Sequence, residues 1–380
     1  MRRLTIRVAH IIPGLRVGGA EKVLTLLALE TDPSVITSTV ISIAGEGPLA
    51  ESLRQAGVPL RVLDLREYWR SLVDFVRLIL LLRRDRPELV QTWLYHGDVI
   101  GGLAARMAGV KTVVWNLRVA PDLEELEAGI RIQIRLAALL SRWVPRRIVA
   151  CAAAVRDAHI DLGYVASPIV LIPNGFELPL PDETARIRLR EDIGLPPDTL
   201  LVGRVARNHP HKDHGTFLRA ARGVVDVRSD IHFVLCGEGM TNHNMALMNE
   251  IEHLGIAPNI HLLGPLDDTA RFNAALDVAC SSSVIEGFPN AIGEAMACGV
   301  PVVATNVGGT SELVGKAGLL VPRSNPRALA TALLDLIDSP DDRSRLGALA
   351  RERIAEQFGV DLMVNRYVSL YKDLATNVRD

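Results

Sequence analysis

Short, β-branched apolar runs recur along this chain, each followed by a loop of small residues and then by a stretch with helical periodicity. Ile6–Ile12, Ser38–Ile43, Leu60–Leu63 and Leu89–Trp93 read as strands, and Ala20–Leu29, Leu49–Ala56 and Leu72–Arg83 as helices between them. Strands separated by about ten to fifteen helical residues cannot pair as tight hairpins. They need crossover connections, and so a parallel sheet with helices on its faces. Ligands of such sheets gather at the carboxyl ends of the strands.

The alternation resumes after a Pro- and charge-rich stretch at Glu177–Asp198, which reads as a linker and a first helix. Strands are expected at Leu200–Ala206, Ile231–Gly237, Ile260–Gly264, Leu276–Cys280 and Val300–Thr305. Helices are expected at Thr216–Val225, Asn290–Ala297, Ala328–Ile337, Arg343–Glu356 and Asp361–Leu374. A chain of 380 residues is too long for one ordinary domain. The expected division is 1–175 and 176–359, with Asn174-Gly175 as a turn at the passage.

A hydrophobic fraction of 48% excludes a disordered or fibrous chain. Residues 1–175 carry a net charge of about +5 and the remainder about −7. That excess is too small to indicate nucleic acid, but it leans the first half toward anionic surfaces. Cys151, Cys236, Cys280 and Cys298 are scattered, with no C-x-x-C pair, and read as structural thiols of a reducing compartment. The start is basic and then apolar, but His10, Pro13 and Gly14 break the run, so it reads as a first strand and not a signal peptide. The apolar run Leu78–Leu82 is far short of a membrane span. A cytoplasmic protein is expected.

The stretch Cys280–Glu312 carries the most chemistry. A strand ends in three serines, a Gly-Phe-Pro-Asn turn follows, and a helix begins near Asn290, closed by Cys298-Gly299. Glu286 precedes that helix start and Glu294 lies inside it. A helix N-terminus presents unpaired N–H groups and a partial positive charge, which suits phosphates. Carboxylates on either side can accept hydrogen bonds from hydroxyls, so the unit is fit to hold a sugar nucleotide.

With the turn EGFPN, the helix EAMACG and the strand PVVAT all in place, the run from Glu286 to Glu294 resembles the E-x7-E signature of the family 4 retaining glycosyltransferases. The resemblance implies the GT-B fold, two Rossmann-like α/β domains facing across a cleft, with a last helix at about 360–380 returning to the first domain. It implies an enzyme moving a sugar from a nucleotide-diphosphate donor, UDP being the commonest base among relatives, to an acceptor hydroxyl with retention. Glu286 would accept hydroxyls of the donor sugar and Glu294 those of the ribose. Phe288, Pro289, Asn290, Ala291 and Ile292 would line the donor phosphates, largely through backbone amides. The loop VARNHPHKDH is similar to the family's Arg and Lys diphosphate clamp; aligned on Lys212 its arginine is Arg207, with Arg204 as the alternative. Gly18 and Gly19 match the family's GGxE loop, although that loop alone is neither GxGxxG nor a Walker A and reads equally as a structural turn.

Gln91, His96 and Asp98 follow a strand end, and His96 matches similar family segments as a catalytic candidate. Where many relatives carry a histidine after the next strand, Arg118 stands, able to hold a phosphate or carboxylate but not to act as a base. The cluster His209, His211, His214 lacks the carboxylates or thiols of a zinc site, so no metal or other cofactor is expected. Two stretches, Tyr68–Arg86 and Ile130–Arg147, carry arginines along an apolar body. They read either as amphipathic helices packed on the sheet or as a peripheral contact with an anionic membrane at its inner face, which would suit a lipid-linked saccharide acceptor. Rival readings are a nucleotide-sugar epimerase on the same fold and a non-catalytic sugar-nucleotide-binding assembly partner.

Overall fold

A computed structural model of the chain describes residues 5–64, 71–121 and 128–379. It divides into two compact units, Met1–Gly175 with Val360–Asp380, and Phe176–Gly359. Each is built on one parallel sheet.

In the first unit the strands are β1 (Ile6–Ile12), β2 (Ile36–Ser42), β3 (Leu60–Val62), β4 (Leu89–Thr92), β5 (Thr112–Leu117), β6 (Arg147–Ala150) and β7 (Ile169–Leu171), in the spatial order β3-β2-β1-β4-β5-β6-β7. Right-handed crossovers place the helices Gly19–Glu30 and Leu49–Gln55 on one face. The last helix, Val360–Arg379, packs there too, against Gly19–Glu30 and β1. The helices Ser71–Asp85, Gly102–Met107 and Ala128–Leu140 cover the other face. Two tyrosines fix the last helix to the sheet: Tyr367 accepts from Asn116 Nδ2 (2.9 Å), and Tyr371 donates to Gln91 Oε1. All four side chains are fully buried.

The sequence shows no helix across Leu94–Met107, yet helical turns run through it, with a π-turn at Gly97–Gly101. Its glycines mask it from propensity, and they are there for contact. A Cβ on Gly101 would come within 2.9 Å of Ile11, and one on Gly102 within 2.8 Å of Trp115 and Val144. The sequence also expects helix from Ile130 to Arg147, whereas the helix ends at Leu140 and β6 begins at Arg147. Pro145 lacks the amide that a continuing helix would need. Of the stretch expected from Tyr68, residues 68–70 lie outside the described residues, and the helix from Ser71 to Asp85 follows.

The second unit has β8 (Leu201–Val205), β9 (His232–Cys236), β10 (Ile260–Gly264), β11 (Val278–Ser281), β12 (Val302–Thr305) and β13 (Gly318–Val321), ordered β10-β9-β8-β11-β12-β13. Its core joins the inner faces of these strands to Phe217, Leu218, Leu329 and Leu333 of the covering helices. The two central strands are tied at their amino ends by one buried carboxylate. Asp277 Oδ2 accepts from the Leu201 amide and from Arg190, each at 2.7 Å. The Arg190 side chain is fully buried, and it also donates to the carbonyls of Thr199, Arg186 and Ala275. Removing one partner of such a pair strands a buried charge. Asp277→Ala is therefore expected to destabilise this unit by about 3–5 kcal/mol, read as a lower urea midpoint. A change within 0.5 kcal/mol, about the limit for ordinary surface substitutions, would show that Asp277 does not hold the strands together.

Candidate functional site

Both sheets reverse direction once. In the second unit the chain builds outward from β8 through β9 to β10, then returns to add β11, β12 and β13 on the other side of β8. At such a switch point the crossovers leave in opposite directions, so the loops after the two strands diverge and leave a crevice. Here those loops are 206–213, after β8, and 282–289, after β11. The first unit has the equivalent reversal between β1 and β4.

The loop after β8 is rigidly shaped. His209 Nδ1 accepts from the His211 amide (3.2 Å) and caps the short 3-10 turn Pro210–Lys212. Asp213 takes a left-handed conformation (φ 44°), which Asp tolerates better than most residues, and caps the next helix by accepting from the Thr216 amide (3.0 Å). The loop is then stitched to its neighbour. Ser282 Oγ lies 2.7 Å from the Asp213 carbonyl and 3.1 Å from that of Lys212, and the Val284 amide donates to the His211 carbonyl (2.9 Å). Arg204, fully enclosed beneath, donates to Ser282 Oγ and to the Lys212 carbonyl, with its guanidinium 5.2 Å from the Phe217 ring centre. Burial pushes that guanidinium down to about 10, still a cation at neutral pH.

These contacts bring Lys212 and Glu286 together. Lys212 Nζ donates to Glu286 Oε1 at 2.6 Å, with the side chains 26% and 13% exposed. The Glu286 turn is backed by the loop after β12. Gly308 sits at φ +52°, where a Cβ would fall 2.0 Å from the Glu286 carbonyl, and the Gly309 amide donates to the Gly287 carbonyl (2.8 Å). Beyond the turn the helix Asn290–Ala297 begins at Pro289 with no side-chain cap, so its first amides are not taken up by a capping side chain. Glu294, one turn in, has Oε2 3.2 Å from Thr269 Oγ1.

The other sequence candidates divide clearly. Arg204, the alternative cation, is committed to holding the loop, whereas Arg207 is exposed at the start of that loop. Phe288 is buried against Phe176 (6.3 Å, stacked) and Phe358 (5.4 Å), and Pro289 and Ile292 are buried as well, which leaves their backbones rather than their side chains for a ligand. Asn290 and Ala291 are half-buried at the helix start. In the first unit Gly18 is the N-cap of the helix Gly19–Glu30, again with no side-chain cap. His96 is exposed after β4, its Nε2 3.0 Å from Gln133 Nε2. Gln91 and Asp98 are buried, and burial holds the Asp98 carboxyl well above the usual carboxylate range.

Arg118 departs from what its place suggests. It is buried at the end of β5, donates to Asn174 Oδ1 and to Tyr367 OH, and lies over the Trp93 ring (5.0 Å). It braces the last helix against the sheet. Ser282 and His214 are structural members of the site whose roles the sequence did not show. The serine run after β11 marks the first, and the second stood out only as one of a histidine cluster considered for metal.

Comparison with known proteins gives these loops their context. Residues 17–179 match the family model described as Glycosyltransferase Family 4, and residues 196–339 the model described as Glycosyl transferases group 1. The chain belongs to glycosyltransferase family 4. It is 25% identical to an Escherichia coli UDP-Gal:alpha-D-GlcNAc-diphosphoundecaprenol alpha-1,3-galactosyltransferase, over 98% of each chain. It is 29% identical to a D-inositol 3-phosphate glycosyltransferase of Thermobispora bispora, over 92% of this chain and 83% of that one. Among solved structures, Anabaena HepE in complex with UDP-glucose superposes with a TM-score of 0.86 at 22% identity, covering 97% of this chain and 99% of that one. Sucrose-phosphate synthase from Thermosynechococcus elongatus does so with 0.78 at 17% identity, covering 98% of this chain and 100% of that one. The fold of this family 4 glycosyltransferase is GT-B, with two Rossmann-like units.

His214 gives this site a pH dependence. It is buried, its Nε2 donates to the Arg207 carbonyl (3.0 Å), and burial together with the Arg204 cation pushes its pKa down to about 4. In the unfolded chain the value returns to about 6.5. Between the two, the unfolded chain binds a proton that the folded chain does not. Stability is therefore full above about 6.5 and falls as pH is lowered toward 4, by up to about 1.4 kcal/mol per pH unit. His214→Gln is expected to lose about 2 kcal/mol less than wild type between pH 7 and pH 5 in urea titrations. Equal losses would place His214 outside this linkage.

Proposed function

We propose that this enzyme transfers a sugar, with retention at the anomeric carbon and without a divalent metal, from a nucleotide-diphosphate sugar to a hydroxyl of a saccharide or lipid-linked acceptor. The observation that carries this reading is the Lys212–Glu286 pair at the switch point of the second unit, beside the uncapped start of the helix Asn290–Ala297. A cation and a helix N-terminus suit a leaving diphosphate, on which negative charge grows as the glycosidic bond breaks; stabilising that charge is the largest catalytic effect expected of such a site. Arg207 adds a second cation from the same loop. Glu286 accepts the hydroxyls of the donor sugar and Glu294 those of the ribose, while Gly18, Gly19 and His96 serve the first unit's share of the reaction.

A UDP-sugar is the favoured donor. The E. coli relative is named for a UDP-galactose donor and a diphosphoundecaprenol-linked acceptor, and HepE was crystallised with UDP-glucose. Protein cations at the diphosphate remove the need for a metal, and the leaving phosphate serves as the base for the acceptor hydroxyl, in the absence of a carboxylate assigned to that task. We place the reaction at the cytoplasmic face of a membrane, in the building of surface glycoconjugates. No described helix is long and apolar enough to cross that membrane.

The test is a transfer assay with a panel of UDP-, GDP- and ADP-sugars, with product configuration followed by proton NMR. Lys212→Ala and Glu286→Ala should each lower kcat at least about a hundredfold, EDTA should leave the rate unchanged, and the product should keep the donor's anomeric configuration. Full activity in either variant would overturn the assignment of the pair. Nucleotide binding without turnover by wild type would favour a binding role.

A further inference from the structure

Helices that cover a sheet are expected to be apolar inward and polar outward. Two helices of the first unit are not. In Ala128–Leu140 the buried residues Ile134, Ala137 and Ala138 face the sheet. At 100° per residue, Ile132, Leu136, Leu139 and Trp143, continued past the helix end, form a second stripe roughly opposite the first. All four are 42% to 64% exposed. In Ser71–Asp85 the same holds: Leu78, Ile79 and Leu82 are buried, and Leu72, Val76 and Leu80 point outward, Leu72 being 72% exposed. The two helices lie on one face of the sheet, on either side of the helical segment 94–107. Ser71–Asp85 packs on its later part and Ala128–Leu140 on its earlier part. Exposed Met107 ends the segment between them, its carbonyl accepting from Arg83.

The charges beside this apolar surface are mostly positive. Ser71–Asp85 carries Arg77, Arg83 and Arg84, with Asp74 and Asp85 paired to Arg77 and Arg84. The acidic residues Asp122, Glu124, Glu125 and Glu127 precede the second helix, outside the described residues. Residues 128–147 contain five arginines and no acidic residue. Arg131, Arg135 and Arg142 line one flank of the outward stripe, and Arg146 and Arg147 follow it; all but the half-buried Arg131 are exposed. Neither an ordinary solvated helix nor a core-facing one needs this combination. A row of aliphatic side chains, an indole at its end and an arginine border fit the boundary of an anionic lipid layer, where apolar groups enter the acyl region and cations meet the headgroups.

We infer that the outer faces of Ser71–Asp85 and Ala128–Leu140 form a docking surface for an anionic bilayer. The helices lie along the surface without spanning it. The inference is independent of which donor or acceptor the enzyme uses, and its test needs neither.

The full chain is mixed with vesicles of phosphatidylcholine alone or with added phosphatidylglycerol, and binding is followed by flotation and by tryptophan emission. Trp93 and Trp115 are fully buried and Trp143 is exposed; the fourth tryptophan, Trp69, lies outside the described residues. Emission is therefore read in Trp69→Phe, where docking should give a blue shift with phosphatidylglycerol vesicles and a further Trp143→Phe should remove most of that shift. Arg142→Glu with Arg146→Glu should weaken partitioning by about tenfold or more, and added salt should do the same. Leu136→Ser with Trp143→Ser should abolish flotation while leaving the thermal midpoint and UDP binding unchanged. Failure to float with phosphatidylglycerol at low salt overturns the inference, as does flotation untouched by either double substitution. A concentration-dependent dimer lost in Leu136→Ser/Trp143→Ser, without vesicle binding in wild type, would instead make this face an interface between copies of the chain.

Discussion

A parallel sheet that grows first to one side and then to the other must leave two neighbouring strands whose following loops part company. That constraint organises each unit of this protein. Between β8 and β11 no crossover helix fills the space above the strand ends, so whatever the two loops carry faces a crevice. The rest of the second unit holds those loops still. Asp277 locks the strands from below, Arg204 and Ser282 staple the loops from within, and the Gly308 turn supports Glu286 from the side. The charged pair at the top is the visible outcome of a backbone arrangement settled several residues away.

Strand and helix periodicity showed the architecture of both sheets, and the helix Asn290–Ala297 was legible to the residue, because its turn, its glycine stop and the flanking β-branched strands all agree. What escaped was of two kinds. The helical turns over 94–107 are written in glycines that local propensity reads as loop, since their purpose is close approach to Ile11 and Trp115 on other elements. The fates of the arginines escaped for a different reason. Arg118, Arg204 and Arg207 look alike in a sequence, yet two are buried braces and one is exposed. Burial depends on what the rest of the chain brings over a residue, and no spacing rule carries that.

The basic amphipathic stretches pose the same problem in reverse. Periodicity finds apolar residues on Ala128–Leu140 without saying which of them are covered. Only the packed structure separates Ile134, against the sheet, from Leu136, turned outward. The apolar content of a helix is a sequence property, and its allocation between core and surface is a tertiary one.

The contact between Lys212 and Glu286 also bears on what can enter the crevice. Each partly enclosed charge has the other as its partner at 2.6 Å. A small anion that captures the lysine takes away the carboxylate's cation, and that loss offsets part of the gain. A guest that brings hydroxyl groups beside its phosphates compensates both halves at once. On the roles proposed for the two residues, the pair would therefore favour guests that carry hydroxyls beside their phosphates over bare phosphate or diphosphate.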